Sequence, residues 1–489
     1  MILDALARPR RGKRIAPRSA AGTCLLWLLT ALPFGLFLAI SGNLVASAGL
    51  ALALVGLFTM ISNAKRAMLG EALVFSDLAL LGAVFRHPQF YFSALSRVQK
   101  ALLAMAAPIV PLLLWAVFVG EWHMHLTGLA IMVVSVLLLT SAPELQPWAG
   151  IARVPDSEGD VQRHGLIATV FLYWMRWRKS ADPAPLLPLP GKPQDDELAI
   201  LIQCESFGDS AVLFGDTAPL LPALAAARVV AWSQGRLNVH GFGAYTMRTE
   251  YGVLFGRSEE ELGFRRFDPF LTAKGESSFA LPARLKEAGW RSIFVHPHDM
   301  RFYNRAEIMA AGGFAELVGE DRFAPPSEGE GRYVTDAAMA DEILKIAKHA
   351  QGATLIYAVT IENHGPWKAV TAGNGLAGEY LRLLGNSDAM LGRLADGLAA
   401  LQRPATLVFF GDHRPSIPGV CEPDVSGAAG DRHTPFVLLR FGRDGRPIVG
   451  EEGDLDLTPA QLHHHILDIL RSSASRCHRA QQTIADGAG

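Results

Sequence analysis

A carboxylate and an imidazole stand side by side at Asp412 and His413, in the phrase Phe409–Pro415 (FFGDHRP). At the end of a strand, such a pair can reach one cation with an oxygen and a nitrogen. Gly411, just before it, lets the backbone turn tightly. Glu205, after an apolar run, supplies a second carboxylate. A set of Glu, Asp and His suits zinc or manganese and suits copper poorly. Each residue taken singly reads as an ordinary loop group; taken together they point to a metal. A hydrolase or transferase also needs a nucleophile. Gly241–Gly256 (GFGAYTMRTEYGVLFG) offers Thr246, after a glycine-rich turn and before a helical stretch. Its hydroxyl reads equally as a helix cap or as a group that a metal would activate as an alkoxide. The same helix N-terminus would favour a phosphate anion.

The elements that must position these groups alternate along residues 196–475. Leu198–Cys204 (LAILIQC), Arg291–Val295 (RSIFV), Thr354–Thr360 (TLIYAVT), Ala405–Phe410 (ATLVFF) and Pro435–Leu439 (PFVLL) are continuous apolar runs, as buried strands should be. Leu376–Leu401 and Thr458–Leu470 have helical spacing. This order predicts an α/β sandwich with a mostly parallel sheet. Ligands collect beyond the carboxyl ends of such strands. Glu205, then His296, His298 and Asp299, then Glu362, Asn363 and His364, then Asp412 and His413 follow four of them. Four polar strand ends on one edge predict a catalytic or metal site.

The first third has a different character. Apolar runs near 22–41, 44–62, 101–120 and 124–141 approach the ~20 residues needed to cross a bilayer. Mean hydropathy of the chain is +0.22. Arg8, Arg10, Arg11, Lys13, Arg14 and Arg18 precede the first run and place the N-terminus in the cytoplasm. Four crossings would leave the rest of the chain in the cytoplasm, and a fifth would export it. Gly165–Trp177 and Ala72–Phe92 are the candidates for a fifth, and the former also reads as an interfacial helix. Ala181–Pro193 carries five prolines and predicts an extended linker. The expected organisation is a transmembrane region over 1–145 with four to five spans, a juxtamembrane helix and linker over 146–195, a catalytic domain over 196–475 and a flexible tail over 476–489. With 45 basic and 47 acidic residues, no basic face favours nucleic acid. Cys24, Cys204, Cys421 and Cys477 match no zinc module and are expected as free thiols, with Cys421 to Cys477 the one pairing considered.

Five phrases, in this order, carry a more specific resemblance: Glu205–Phe207 (ESF), Thr246–Glu250 (TMRTE), Phe302–Arg305 (FYNR), Glu362–Trp367 (ENHGPW) and Gly411–His413 (GDH). The chain resembles the lipoteichoic acid synthase group, which includes phosphoglycerol transferases acting on periplasmic glucans. Phosphoethanolamine transferases and sulfatases are more distant relatives. The resemblance implies an alkaline-phosphatase/sulfatase-like sandwich behind a helical transmembrane domain. It also implies one divalent metal (manganese or zinc, with magnesium as a third option) on Glu205, Thr246, Asp412 and His413, with Thr246 as nucleophile. Arg305 and Tyr303 fall where relatives hold phosphate and glycerol, and His364 where they bind substrate or move a proton. His296 falls near another substrate-binding position, and His433 resembles a histidine near a second metal in some relatives. The implied reaction moves phosphoglycerol from a membrane phospholipid, phosphatidylglycerol, to a glycan or polyol. Phosphoethanolamine transfer and phosphodiester or sulfate-ester hydrolysis are the alternatives. The formylglycine phrase of a true sulfatase, C/S-x-P-x-R, is absent. A periplasmic or extracellular catalytic domain on the bacterial inner membrane is the implied location.

Overall fold

The computed structural model describes residues 1–9, 18–78, 112, 115–191, 193, 196–215, 218–327, 331–367, 375–423, 432–451 and 453–471. The chain divides into two compact units, one essentially residues 1–181, the other residues 182–423 and 429–489.

In the first unit, α1 (Ala20–Ser41), α2 (Leu44–Leu69) and α3 (Trp122–Ser141) are long and apolar enough to cross a membrane. They coincide with the runs read at 22–41, 44–62 and 124–141. Most of the run at 101–120 and of Ala72–Phe92 lies outside the described residues, as does Cys477. Ser19 starts α1 by accepting from the Gly22 N–H, and Gly42, at φ 66°, ends it. α1 and α3 approach closely through glycine. A Cβ on Gly35 would lie 2.7 Å from the Met132 nitrogen, and one on Gly128 would lie 2.3 Å from that of Ala39. Without a hydrophobic drive between helices in lipid, close backbone packing of this kind holds them together. α4 (Leu166–Lys179) has 14 residues. It is about 21 Å long, short of the ~30 Å hydrocarbon core. Its Arg176 donates to the carbonyls of Trp148, Ala149 and Ile151.

The second unit is built on one eight-stranded sheet. Its strands are β1 (Leu198–Cys204), β2 (Ser233–Asn238), β3 (Arg291–Val295), β4 (Glu316–Val318), β5 (Thr354–Val359), β6 (Ala405–Gly411), β7 (His433–Phe441) and β8 (Asp454–Leu457). Their order is β4-β3-β5-β1-β6-β7-β2-β8. β3, β5, β1 and β6 run parallel, and β7 is antiparallel to both β6 and β2. Alternation divides the buried strands between two cores. Ala199, Leu201, Tyr357, Val408 and Phe410 join one; Ile200, Ile202, Ile356, Leu407 and Phe409 join the other. Both faces are therefore covered, which is why these strands read as unbroken apolar runs. Each such buried side chain contributes ~1.5–3 kcal/mol. Flanking helices include α5 (Thr246–Phe255), α6 (Arg305–Ala311), α7 (Asp336–His349) and α8 (Gly375–Leu401), with a last helix at 459–471. Sequence periodicity missed β2 (SQGRLN), the three-residue β4 and β8 (DLDL) because these outer strands carry too little apolar pattern.

β1 and β6 pair in register, Cys204 beside Gly411. Glu205 and Asp412, the next residues, therefore leave the sheet as neighbours. Gly411 works differently from the sequence expectation: its φ is not positive. What it provides is room, since a Cβ there would lie 1.9 Å from the Phe207 carbonyl oxygen. Gly411→Ala should force the two strand ends apart and cost ~1–3 kcal/mol, as overpacking does. Thermal unfolding of the detergent-solubilised protein checks this; an unchanged midpoint would mean that the approach is not structurally required.

Candidate metal centre and nucleophile

Glu205, Asp412 and His413 are buried, and one potential ligand atom from each lies within 4.8 Å of the others. The turn after β1 makes this possible. Ser206 adopts a left-handed backbone, φ 52°. Its N–H donates to Asp412 Oδ1 at 2.8 Å, and its hydroxyl to Glu205 Oε1 at 3.0 Å. The His413 N–H also donates to Asp412 Oδ1, at 2.8 Å. Asp412 Oδ2 is buried and has no hydrogen-bond partner. His413 Nδ1 faces the Arg414 carbonyl at 3.1 Å, so Nδ1 carries the proton and Nε2 presents a lone pair. That Nε2 lies 3.4 Å from Glu205 Oε1 and 3.5 Å from Asp412 Oδ2. Both separations are close to the ~3.3 Å edge of a tetrahedron with zinc-type bonds of ~2.05 Å. An orphaned carboxylate oxygen, a second carboxylate and an imidazole lone pair, all converging, fit a divalent cation.

The electrostatics agree. Burial, then the Glu205 charge, push Asp412 up to about 7. Burial pulls His413 down, but the Asp412 and Glu205 charges outweigh it and raise its pKa above the ordinary value. Without a cation, protons supply the missing positive charge.

Thr246 opens α5 and is buried. The N-cap is Tyr245, in a left-handed conformation at φ 75°, with no side-chain cap bond. Of the two readings left open by the sequence, the cap is thus taken by another residue. The Thr246 hydroxyl lies 3.5 Å from Glu205 Oε2. Two bonds hold the helix there: Gln203 Nε2 donates to the Thr246 carbonyl at 3.2 Å, and the Thr249 hydroxyl to the Asp412 carbonyl at 2.7 Å.

Arg305 opens α6 and is buried. Its Nε and one terminal nitrogen grip Glu250 at 2.8–3.2 Å, and its other terminal nitrogen meets His296 Nε2 at 3.0 Å. His296 Nδ1 donates to the Val359 carbonyl at 2.9 Å. Both ring nitrogens of His296 are therefore committed to protein, and it buttresses Arg305 instead of presenting itself to a ligand. Burial and the Arg305 charge hold its pKa well below the usual value, so it is neutral. Tyr303 lies beneath Arg305, 5.2 Å from guanidinium carbon to ring centre, on backbone at φ 57°.

His364 is exposed. Its Nδ1 donates to the Gly365 carbonyl at 2.6 Å, which leaves Nε2 as an acceptor. Glu362 turns inward, accepting from the Asp336 N–H and Asn386 Nδ2, both at 2.7 Å. His433 pairs with Asp456 at 3.2 Å and is outside the three-residue cluster. Cys204 is buried in the sheet core with Ile202 and Phe207, and Cys24, Cys204 and Cys421 are free thiols. Sequence reasoning missed the roles of Gln203, Ser206 and Glu250. Glu250 alone left a signal, lying one helical turn beyond Thr246 in TMRTE.

A cation must displace the proton that Asp412 holds below about pH 7. Because His413 must give up its proton as well, zinc affinity should fall by at least about tenfold per pH unit as pH drops below 7. Asp412→Asn should abolish stoichiometric binding. Metal titration at pH 6, 7 and 8 with elemental analysis checks both; a pH-independent affinity would contradict the shared-proton site.

Residues 197–470 match the sulfatase family. A capsular polysaccharide biosynthesis protein, RkpI, of Rhizobium meliloti (strain 1021) is 30% identical over 455 residues, covering 86% of this chain and 84% of that protein. Among solved structures, the integral membrane lipooligosaccharide phosphoethanolamine transferase A of Neisseria meningitidis superposes with a TM-score of 0.52 at 13% identity, over 93% of this chain and 95% of that one. A phosphoglycerol transferase of Streptococcus pyogenes, solved with sn-glycerol-1-phosphate, gives 0.43 at 17% identity, over 54% and 72%. The extent of the family match and the identity to the Rhizobium protein establish that the chain belongs to the sulfatase family, within the alkaline-phosphatase superfamily.

Proposed function

We propose that this protein is a membrane-anchored transferase that moves a phosphoglycerol group from phosphatidylglycerol to a glycan or polyol hydroxyl. The observation that carries the reading is the buried Thr246 hydroxyl at a helix start, 3.5 Å from Glu205 in the Glu205–Asp412–His413 cluster. The five sequence phrases shared with phosphoglycerol transferases support the donor. The name of the Rhizobium relative supports a glycan acceptor. Three helices able to cross a membrane suit a lipid donor. Such donors are used at the outer face of the inner membrane, so the catalytic part, 196–475, is assigned to the periplasmic side.

Glu205, Asp412 and His413, with Thr246, would hold one divalent cation, manganese or zinc. When bound, it lowers the hydroxyl pKa and neutralises phosphoryl charge. Thr246 Oγ1 attacks phosphorus, the bond to the diacylglycerol oxygen breaks, and that oxygen leaves with its electron pair and takes up a proton. Phosphoglycerol remains esterified to Thr246. An acceptor hydroxyl then attacks the same phosphorus, the Thr246 ester breaks, and His364 Nε2 takes the acceptor proton. Glu250 and His296 fix Arg305, whose remaining N–H groups are assigned to a phosphoryl oxygen. Tyr303 is assigned to the glycerol.

The full-length protein, incubated in detergent with phosphatidylglycerol and manganese and then weighed intact, should carry one phosphoglycerol. Thr246→Ala should carry none and retain its metal. An equal adduct on the variant would sink the threonine mechanism. An adduct only with phosphatidylethanolamine would change the donor and keep the chemistry.

A further inference from the structure

His364 lines a cavity of about 260 Å³, walled also by Arg332, Tyr333, Trp367, Glu379 and Arg382 among others. Ordinary small-molecule cavities run to ~300–1,000 Å³, so this one suits a single ring and not a lipid. Its aromatic wall is rigid. The Trp367 indole donates to Asn363 Oδ1 at 3.0 Å and meets Tyr380 edge-on, 5.3 Å between ring centres. Holding the indole this way leaves the fully buried Asn363 with its Nδ2 unpartnered. Tyr333 stands edge-on to His364, at 5.9 Å. The cavity thus adjoins the histidine assigned to the acceptor proton.

One of its arginines is paired with a carboxylate. Arg382 grips Glu379 through two bonds, 3.0 and 2.7 Å. Arg332 lies 4.4 Å over the Tyr333 ring and donates to the Gly365 carbonyl at 2.6 Å. A fixed indole bordered by the Arg382–Glu379 ion pair and by Arg332 presents an apolar platform with a hydrogen-bonding rim. That combination matches a pyranose, with its C–H face and equatorial hydroxyls, better than it matches a phosphate dianion.

We propose that this cavity is the acceptor subsite and holds one neutral pyranose ring. The ring lies on Trp367, its hydroxyls on Arg332 and the Glu379–Arg382 pair, and its glycan's reacting hydroxyl points toward His364. The proposal rests on the transferase reading above and names the substrate class of its second step.

Saturation-transfer NMR on the full-length Thr246→Ala protein in detergent, with cellotriose as probe, tests it. Transfer should concentrate on the protons of one sugar ring. The exposed Arg332→Ala should weaken binding about tenfold with melting temperature and metal content unchanged, and Trp367→Leu should weaken it about tenfold with metal content unchanged. No transfer, or transfer equal in both variants, would overturn the proposal. So would competition by sn-glycerol-1-phosphate, which would give the cavity to the donor. Because Thr246→Ala performs no chemistry, this readout is independent of the threonine adduct. An adduct without sugar binding rejects the subsite alone, whereas sugar binding without an adduct rejects the phosphothreonine mechanism alone.

Discussion

Two carboxylates and an imidazole share a space a few ångströms across, out of contact with water. Like charges buried that closely repel strongly unless positive charge stands between them. The surrounding structure arranges that convergence and keeps it tolerable. Asp412 Oδ1 is fully occupied by two backbone N–H groups, while Oδ2 is kept without a partner. His413 is locked into the tautomer that turns its lone pair inward. Each bond removes freedom that a bound cation would otherwise have to remove itself.

The sheet bears the cost of this arrangement. β1 and β6 must be adjacent, parallel and in register so that residues 205 and 412 leave it together. That adjacency is possible only because both faces of the sheet are covered by apolar cores. The helix that starts at Thr246 is tied to the same two strands, through Gln203 in β1 and the carbonyl of Asp412 after β6. A shift of either strand would therefore move the Glu205–Asp412–His413 cluster and the threonine together. β3 and β5 play a different part. The segment after β3 carries His296 and Arg305, and Arg305 forms a buried ion pair with Glu250 of α5 in which each charge depends on the other. The segment after β5 turns Glu362 inward and His364 outward, which separates a structural carboxylate from an accessible base.

The membrane-spanning unit follows other rules. Its helices expose large apolar side chains such as Trp27, Leu52, Val134 and Leu137. In water these would be costly; in lipid they are solvated by the acyl chains. The close approach of α1 and α3 at Gly35 and Gly128 then replaces the hydrophobic drive that a soluble bundle would use. Shared packing rules do not extend across the two units, so each has its own reasons for its sequence.

By itself, the sequence determined what depends on local pattern. Runs such as LAILIQC and ATLVFF admit little other than buried parallel strands, and an uninterrupted apolar stretch such as 22–41 has few homes outside a bilayer. Phrases such as GDH and TMRTE also named the metal-type side chains and the threonine, because that chemistry needs those residue types. The tertiary structure decided what depends on distance between remote residues. Only the β1–β6 register brings Glu205 to Asp412 across two hundred residues. Only the pairing with Glu250 and Val359 shows that Arg305 is held and that His296 is spent in holding it. Gly411 looked like a hinge in the sequence, yet its small size serves the Phe207 carbonyl. The polar outer strands carried too few apolar residues to be legible, and the cavity beside His364 is assembled from segments whose local sequences say nothing of one another.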